Sequence, residues 1–548
     1  MLGAELVVRA LARHGVTTIF SLSGNQIMPI YDACIDARIR IVHVRHEAAA
    51  VFMADAWAQT TGELGVALLT AGPGVSNGIA PLFSARQAES PLLLLSGDSP
   101  LAEDGLGSFQ ELDQAAMTAP LTKSSKRVMA QAHLLSDVEA AMDAALSPRC
   151  GPVHLALPFD VLTQDCGLSA LPAMTPPPAP DLPPAEAVAA LADRMSQAQR
   201  PLLLLGPAGA RAAQRAEWLA LAQQLQLPVV PMESPRGLRD PSLGAVAEAI
   251  AQSDLLILAG KPLDFTLGFG RAAVLGQAPV VVIEPDAALL ARAQRQLGQR
   301  LVLGCVQRPQ AFMAAVQARL GAVAPSAART DWVDAVAAAV ARRAPVLATP
   351  ASGKLAPDAL CAVVQQFIAE VPEPILVVDG GEFGQWAQAL CHAPVRLING
   401  MSGAIGGGIC YAIAAKIARP QATVILLMGD GTAGFHLTEF DTAARERAGI
   451  VAVIGNDHRW NAEHLIQLRT YGADRLIGCG LSPSAQYHAA VQGLGGQGAQ
   501  VTTASALQAA LRAALPAAAA GQPVCINVEI EGTPAPVVAA ALTTGAAH

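Results

Sequence analysis

Two short stretches in the last third of the chain carry residue types that can hold a hard cation. Gly429-Asp430-Gly431 closes one run of apolar residues, and Asn456-Asp457 closes the next. The two aspartates are separated by the interval expected from one strand end to the next across a helix. Two oxygen ligands on neighbouring strand ends can grip one Mg²⁺, which takes oxygen donors in octahedral geometry, commonly one or two carboxylates plus phosphate oxygens. The glycines let backbone N–H groups approach such phosphates, and a helix after Gly431 offers them its positive end. Gly-Asp-Gly alone also reads as an ordinary turn. The spacing to Asn456-Asp457 is what gives it chemical weight.

The elements that must position these residues follow from the hydrophobic pattern. Short continuous apolar runs, bounded by turn residues, read as strands buried on both faces. They are 64–70 and 90–97; 201–206, 254–260 and 278–285; and 374–381, 422–431 and 449–457. Between them lie longer segments with helical spacing, including 47–62. Strands alternating with helices predict parallel sheets and a doubly wound α/β architecture. Two proline-rich stretches, 171–187 and 344–357, resist regular helix or central strand and read as linkers. They divide the chain into three tandem α/β domains at 1–170, 188–343 and 358–548. Ligands in such sheets sit at the carboxyl ends of the strands, here 379–384, 429–432 and 456–460.

Composition narrows the function. The 548 residues carry 36 Lys+Arg against 44 Asp+Glu, a formal charge of −8, so a nucleic-acid partner is not expected. A 52% hydrophobic, 15% charged chain can bury several cores and is not disordered. No apolar run approaches the roughly 20 residues that cross a bilayer, and the amphipathic N-terminus does not read as a signal peptide. The 9 cysteines form no C-x-x-C pair and read as reduced core residues of a cytoplasmic protein.

With these residues in place, a resemblance becomes visible. Gly-Asp-Gly followed at this distance by a paired Asn/Asp resembles the signature of thiamine-diphosphate-dependent enzymes. RHEAAAVFMADAWAQTTG, TAGPGVSNGIAPLFSARQAESPLLLLSG, SFQELDQAAMTAPLTK, DGGEFGQW and NGMSGAIGGGIC resemble further segments of that family, so the likeness spans the chain. It implies the order pyrimidine-binding, central and diphosphate-binding domain, with thiamine diphosphate and Mg²⁺ as cofactors. The family ends its motif in Asn-Asn. Asp457 replaces the second Asn, keeps an oxygen ligand and adds a negative charge. The resemblance assigns the metal to Asp430, Asp457 and the main-chain carbonyl of Arg459. It assigns cofactor contacts to Gly381, Glu382, Phe383, Gly429, Gly431, Thr432 and Trp460, with Gly403 offering a carbonyl and Ile405 propping the bent cofactor. Glu47, which local sequence alone reads as a charge at a helix start, becomes the carboxylate on the pyrimidine. Such a group should lie in an apolar setting, which Ala48–Val51 would supply.

The resemblance is divided on the substrate. SGNQIMPIYDAC is similar to acetolactate synthases, whereas GAELVVRALARHGV and FDTAARERAGIVAVIGND are similar to benzaldehyde lyase and 2-hydroxyacyl-CoA lyases. Gln110 matches a pocket glutamine. Gln26 stands where benzaldehyde lyase has a catalytic histidine; an amide cannot shuttle a proton near pH 7, so Glu463 or His464 is expected to take that part. The implied activity is a lyase or carboligase acting on 2-oxo acids or 2-hydroxy carbonyl compounds. A simple 2-oxo acid decarboxylase and a non-catalytic cofactor-binding homologue are the alternatives. LGPAGARAA in the central domain lacks a full G-x-G-x-x-G, so FAD, ADP or CoA, or nothing, fits there. The family places its cofactor between subunits, which implies a homodimer at least and agrees with a tetramer; the remaining partner is a small-molecule substrate.

Overall fold

The computed structural model describes residues 1–173, 182–323, 326–344, 353–399 and 402–537. The centres of both proline-rich linkers and the end of the C-terminal tail lie outside them. Three parallel sheets are present. The first contains β1 (Thr18–Ser21), β2 (Arg40–His43), β3 (Gly65–Leu69), β4 (Leu92–Asp98), β5 (Ser125–Arg127) and β6 (Pro152–Pro158), in the order β2-β1-β3-β4-β6-β5. The second contains β7 (Pro201–Leu205), β8 (Val229–Pro231), β9 (Leu255–Ala259), β10 (Val280–Ile283) and β11 (Leu301–Cys305), in the order β11-β10-β9-β7-β8. The third contains β12 (Pro374–Val378), β13 (Val395–Ile398), β14 (Thr423–Gly429), β15 (Val451–Asn456), β16 (Gln497–Val501) and β17 (Val524–Glu529), in the order β13-β12-β14-β15-β17-β16. The α/β fold expected from the alternating pattern is therefore present three times.

The described residues gather into two compact units, one holding the first and third sheets and the other the second. Within the first unit the Glu47–Thr61 helix packs against the Gly408–Ala418 helix. Both are rich in alanine, so their backbones approach closely, and Phe52 meets Tyr411 edge to face at 6.1 Å. Asp55, fully buried, accepts hydrogen bonds from the hydroxyls of Tyr411 and Ser90 and from Gln59 Nε2 at 2.8 Å. A charge shut away from water needs such donors, because an unpaired buried ion is costly. The Glu47–Thr61 helix also lies tight on β3: a Cβ at Gly65 would come 2.0 Å from the Ala54 carbonyl oxygen.

Some expected boundaries shift. The proline-rich stretch taken to 187 ends earlier, because Pro184 serves as N-cap of the Ala185–Gln197 helix. The strand expected to run through Gly431 ends at Gly429, and Asp430 begins the next helix. In the middle sheet, Gly206 is explained without a nucleotide. A Cβ there would fall 2.0 Å from the Gly260 carbonyl oxygen, so the ends of β7 and β9 require a glycine.

Candidate functional site

In the third sheet the chain runs from β12 outward to β13 and then returns to place β14 on the other side of β12. This reversal is the topological switch point, and ligands of open α/β sheets bind outside the strand ends there. Asp379 follows β12, Asp430 follows β14, and Asp457 follows β15.

Asp430 is 3% exposed and Asp457 6%. The backbone N–H groups of Asp430, Gly431, His458 and Arg459 favour the charged form of the Asp430 carboxyl, yet its Oδ2 has no hydrogen-bond partner. Burial outweighs those donors and pushes its pKa up to about 6. Asp457 is pushed up to about 7, first by burial and then by the charge of Asp430, with Arg459 opposing. Two carboxyls this close and this dry call for a cation between them, and a bare, buried oxygen is the donor a hard cation takes. The residues present therefore fit Mg²⁺. His458 holds a left-handed backbone, φ 61°, and its N–H donates to Asn456 Oδ1 at 3.1 Å. Its ring is tied to Glu529 at 2.7 Å.

Around this pair the glycines have particular neighbours. A Cβ on Gly431 would sit 2.6 Å from the Trp460 ring, so Trp460 roofs the Gly-Asp-Gly turn. Phe435 meets Trp460 edge to face at 6.1 Å. Thr432 Oγ1 donates to the Gly429 carbonyl at 2.9 Å and fastens the first turn of the helix. Phe383 is buried, its ring against Gly455, where it packs the strand end. Gly381 is open and left-handed, φ 77°, with Glu382 beside it at the start of the Gly381–Leu390 helix.

The loop ahead of the Gly408–Ala418 helix is fastened by a residue that sequence reasoning left without a role. Asp379, fully buried, accepts from Gly380 N at 2.7 Å, Asn399 Nδ2 at 3.0 Å, Gly406 N at 3.1 Å and Gly408 N at 2.8 Å. The helix begins at Gly408, and Gly406 ahead of it is left-handed, φ 90°. Ile405 leans over Gly380, and Gly403 is exposed with φ 84°, leaving its peptide free to turn outward. His436 Nδ1 closes on the Gly406 carbonyl at 2.7 Å.

In the first sheet, Glu47 is the first residue of its helix and is partly exposed. Its carboxylate accepts from Asn77 Nδ2 at 2.9 Å. Ala48–Val51, expected to give it an apolar setting, are all buried. Asn77 stands inside TAGPGVSNGIAP, and only its amide type could have marked it as a partner. Gln26 and Gln110 are brought together. Thr70 Oγ1 donates to Gln26 Oε1 at 2.7 Å, and Gln26 Nε2 donates to Gln110 Oε1 at 2.9 Å. Gln110 has φ 62°, and the space beside its Cβ exists because residue 72 is glycine.

Glu463 and His464 have different surroundings. Glu463 is exposed, whereas His464 Nε2 lies 3.3 Å from Arg459 Nη1. Partial burial and then that guanidinium lower its pKa. All 9 cysteines are free; seven are buried, and Cys150 and Cys166 are only partly buried rather than in the core. Among the described residues no helix is long and apolar enough to cross a membrane.

Comparison with known proteins agrees with this arrangement. Residues 1–117 match the thiamine pyrophosphate enzyme N-terminal TPP binding domain, residues 188–302 the central domain, and residues 379–528 the C-terminal TPP binding domain. Acetolactate synthase large subunit IlvG of Mycobacterium tuberculosis is 31% identical over 96% of this chain and 95% of its own length. 2-Hydroxyacyl-CoA lyase 2 of Homo sapiens is 31% identical over 97% of this chain and 90% of its own. The solved thiamine diphosphate-dependent 4-hydroxybenzoylformate decarboxylase of Rhodococcus jostii RHA1 superposes with a TM-score of 0.79 at 23% identity, over 97% of this chain and 100% of that one. Three parallel sheets in this order make the fold that of thiamine-diphosphate-binding enzymes. The chain belongs to the thiamine pyrophosphate enzyme family.

Proposed function

We propose that this protein is a thiamine-diphosphate- and Mg²⁺-dependent enzyme that makes or breaks a carbon–carbon bond beside a carbonyl. Its substrates in this reading are 2-oxo acids or 2-hydroxy carbonyl compounds. The observation that carries the reading is the buried Asp430–Asp457 pair at adjacent strand ends, with one Asp430 carboxylate oxygen unpartnered.

Asp430, Asp457 and the Arg459 carbonyl would hold the cation. Gly381, Glu382, Gly429, Gly431 and Thr432 would line the diphosphate. When bound, thiamine diphosphate supplies a carbon nucleophile and an electron sink. The protein's part is to orient and to move protons. Glu47, itself held by Asn77, would share a proton with the pyrimidine. The Gly403 carbonyl would accept from the pyrimidine amino group, and Ile405 would support the cofactor. Gln26 fixes the Gln110 amide, which is placed to hydrogen-bond a substrate oxygen. With an amide at 26, proton transfer to substrate falls to His464, whose pKa is lowered by partial burial and by Arg459. In this reading Glu47 and Asp430 of one site come from two protomers, so the working unit is a homodimer or a tetramer in the cytoplasm, and the middle sheet has a structural role.

The test is a substrate panel on protein loaded with thiamine diphosphate and Mg²⁺. Pyruvate, benzoin and a 2-hydroxyacyl-CoA thioester are offered separately, with products identified by mass. Acetolactate or acetoin from pyruvate supports a synthase; cleavage of benzoin or the thioester supports a lyase; free aldehyde from a 2-oxo acid, with no ligation product, supports a decarboxylase. No turnover together with no cofactor binding would refute the reading.

A further inference from the structure

Beside the two aspartates stands a third oxygen donor that the motif does not assign. Asn461 begins the Asn461–Tyr471 helix and is 6% exposed. Its Oδ1 is buried and has no hydrogen-bond partner. An amide at a helix start ordinarily has free backbone N–H groups to serve; this one does not, and the helix has no side-chain cap. Its position relative to Asp457 is fixed by Gly532. A Cβ built on that glycine would lie 3.1 Å from Asp457 Oδ2 and 3.3 Å from both amide atoms of Asn461. The carboxylate and the amide therefore flank the same small space, against a residue that has no side chain. Asp430 Oδ2, also buried and unpartnered, belongs to the neighbouring strand end.

We propose that Asn461 is a further oxygen ligand of the cation, and that Asp430, Asp457 and Asn461 hold a divalent cation before any diphosphate arrives. The inference rests on the reading of the 430/457 pair as the cation site and extends it in two ways. An amide oxygen and two carboxylates are a hard donor set suited to Mg²⁺ or Mn²⁺. Two carboxylates, both ionised once the cation displaces the proton they hold, give the protein an attraction of its own, so that phosphate oxygens complete the coordination rather than create it. Cation binding would then come first, and the occupied site would draw in the diphosphate.

The test uses the full chain stripped of cofactor, with Mn²⁺ as the probe and the loss of its free-ion electron paramagnetic resonance signal as the readout. One Mn²⁺ per chain is expected without thiamine diphosphate. Asn461→Leu, close in shape but without the oxygen, should weaken that binding at least tenfold, and Asn461→Asp should retain it. Wild-type affinity in Asn461→Leu, or tenfold loss in Asn461→Asp, overturns the assignment; the second variant decides if the first does not fold. Mn²⁺ taken up only after thiamine diphosphate is added overturns the order of binding while leaving the proposed function intact. No Mn²⁺ uptake even with thiamine diphosphate present removes the cation site and the proposed function with it.

Discussion

Strand for strand, the sheet of β1–β6 and the sheet of β12–β17 correspond: β1 to β12, β2 to β13, and so on through β6 to β17, with the same reversal after the second strand. Corresponding positions hold opposite chemistry. Where β3 ends, Thr70 passes a neutral hydrogen bond to Gln26 and through it to Gln110. Where β14 ends, Asp430 presents a carboxylate with a bare oxygen. Where β4 ends, Asp98 meets Arg127 at 2.7 Å; beyond the end of β15, Asp457 shares its surroundings with a second acid. One topology thus builds one face whose polar groups are paired with one another and another whose buried acids are not. The fold chooses the address, and two or three residues at strand ends choose the ligand.

The sharpest way to break that comparison is to neutralise one address at a time. Asp430→Ala should abolish metal-dependent cofactor binding and lower turnover by roughly 10³-fold or more. Thr70→Ala at the corresponding position should cost about tenfold or less, the worth of one neutral hydrogen bond. Equal losses in steady-state assays would show that the two faces are not chemically distinct. Glu47→Gln should lower turnover about 10²–10⁴-fold, as expected for loss of a proton-transfer group. Cofactor affinity, followed by fluorescence quenching, should change little; a parallel loss of affinity would make Glu47 a binding residue only.

The two sheets should also differ in their response to acid. His154 in β6 is fully buried among Ser96, Thr118 and Ser125, and burial lowers its pKa to about 4. The unfolded chain takes up a proton near pH 6.5 and the folded one does not, so stability should fall as pH drops from about 6.5 toward 4, by roughly 3 kcal/mol in all. The corresponding strand β17 buries Asn527, which does not titrate. Urea unfolding at pH 7.5 and pH 5 should show this slope in the wild type, and His154→Gln should flatten it. An unchanged slope would assign acid sensitivity elsewhere. The smallest effect concerns the seam between the two sheets. Tyr411→Phe removes one donor to the buried Asp55 and should cost about 1.5–3 kcal/mol by the denaturant midpoint, with turnover per folded molecule preserved. A loss of turnover instead would tie the helix seam directly to the site.

Much of this was legible in sequence because fully buried parallel strands are continuous apolar runs. β3, β4, β14 and β15 stand out for that reason. β1 and β2 have four residues each, too short for a pattern, and β16 is a polar edge strand. β6 is buried throughout, but His154 breaks its apolar run, and only the hydroxyls around it show how that residue is accommodated. The site followed the same rule. Motif spacing located Asp430 and Asp457, because their partners are near in sequence. Asp379, Asn77 and Asn461 were missed because their roles depend on what the fold brings to them: two glycine N–H groups 27 and 29 residues on, a carboxylate 30 residues back, and a glycine 71 residues away.

The Glu47–Thr61 helix has a consequence beyond placement. From Ala48 to Ala56 every residue is buried, while Glu47 at its tip reaches solvent. It behaves as a rod clamped along its length with one free end. Backbone wandering at the carboxylate is suppressed before anything binds, and Asn77 already limits its side-chain torsions. Ordering Glu47 on a ligand therefore costs only part of the roughly 1.5–2 kcal/mol of rotamer entropy that a free glutamate would lose, and the disorder removed at that end of the site was removed when the chain folded.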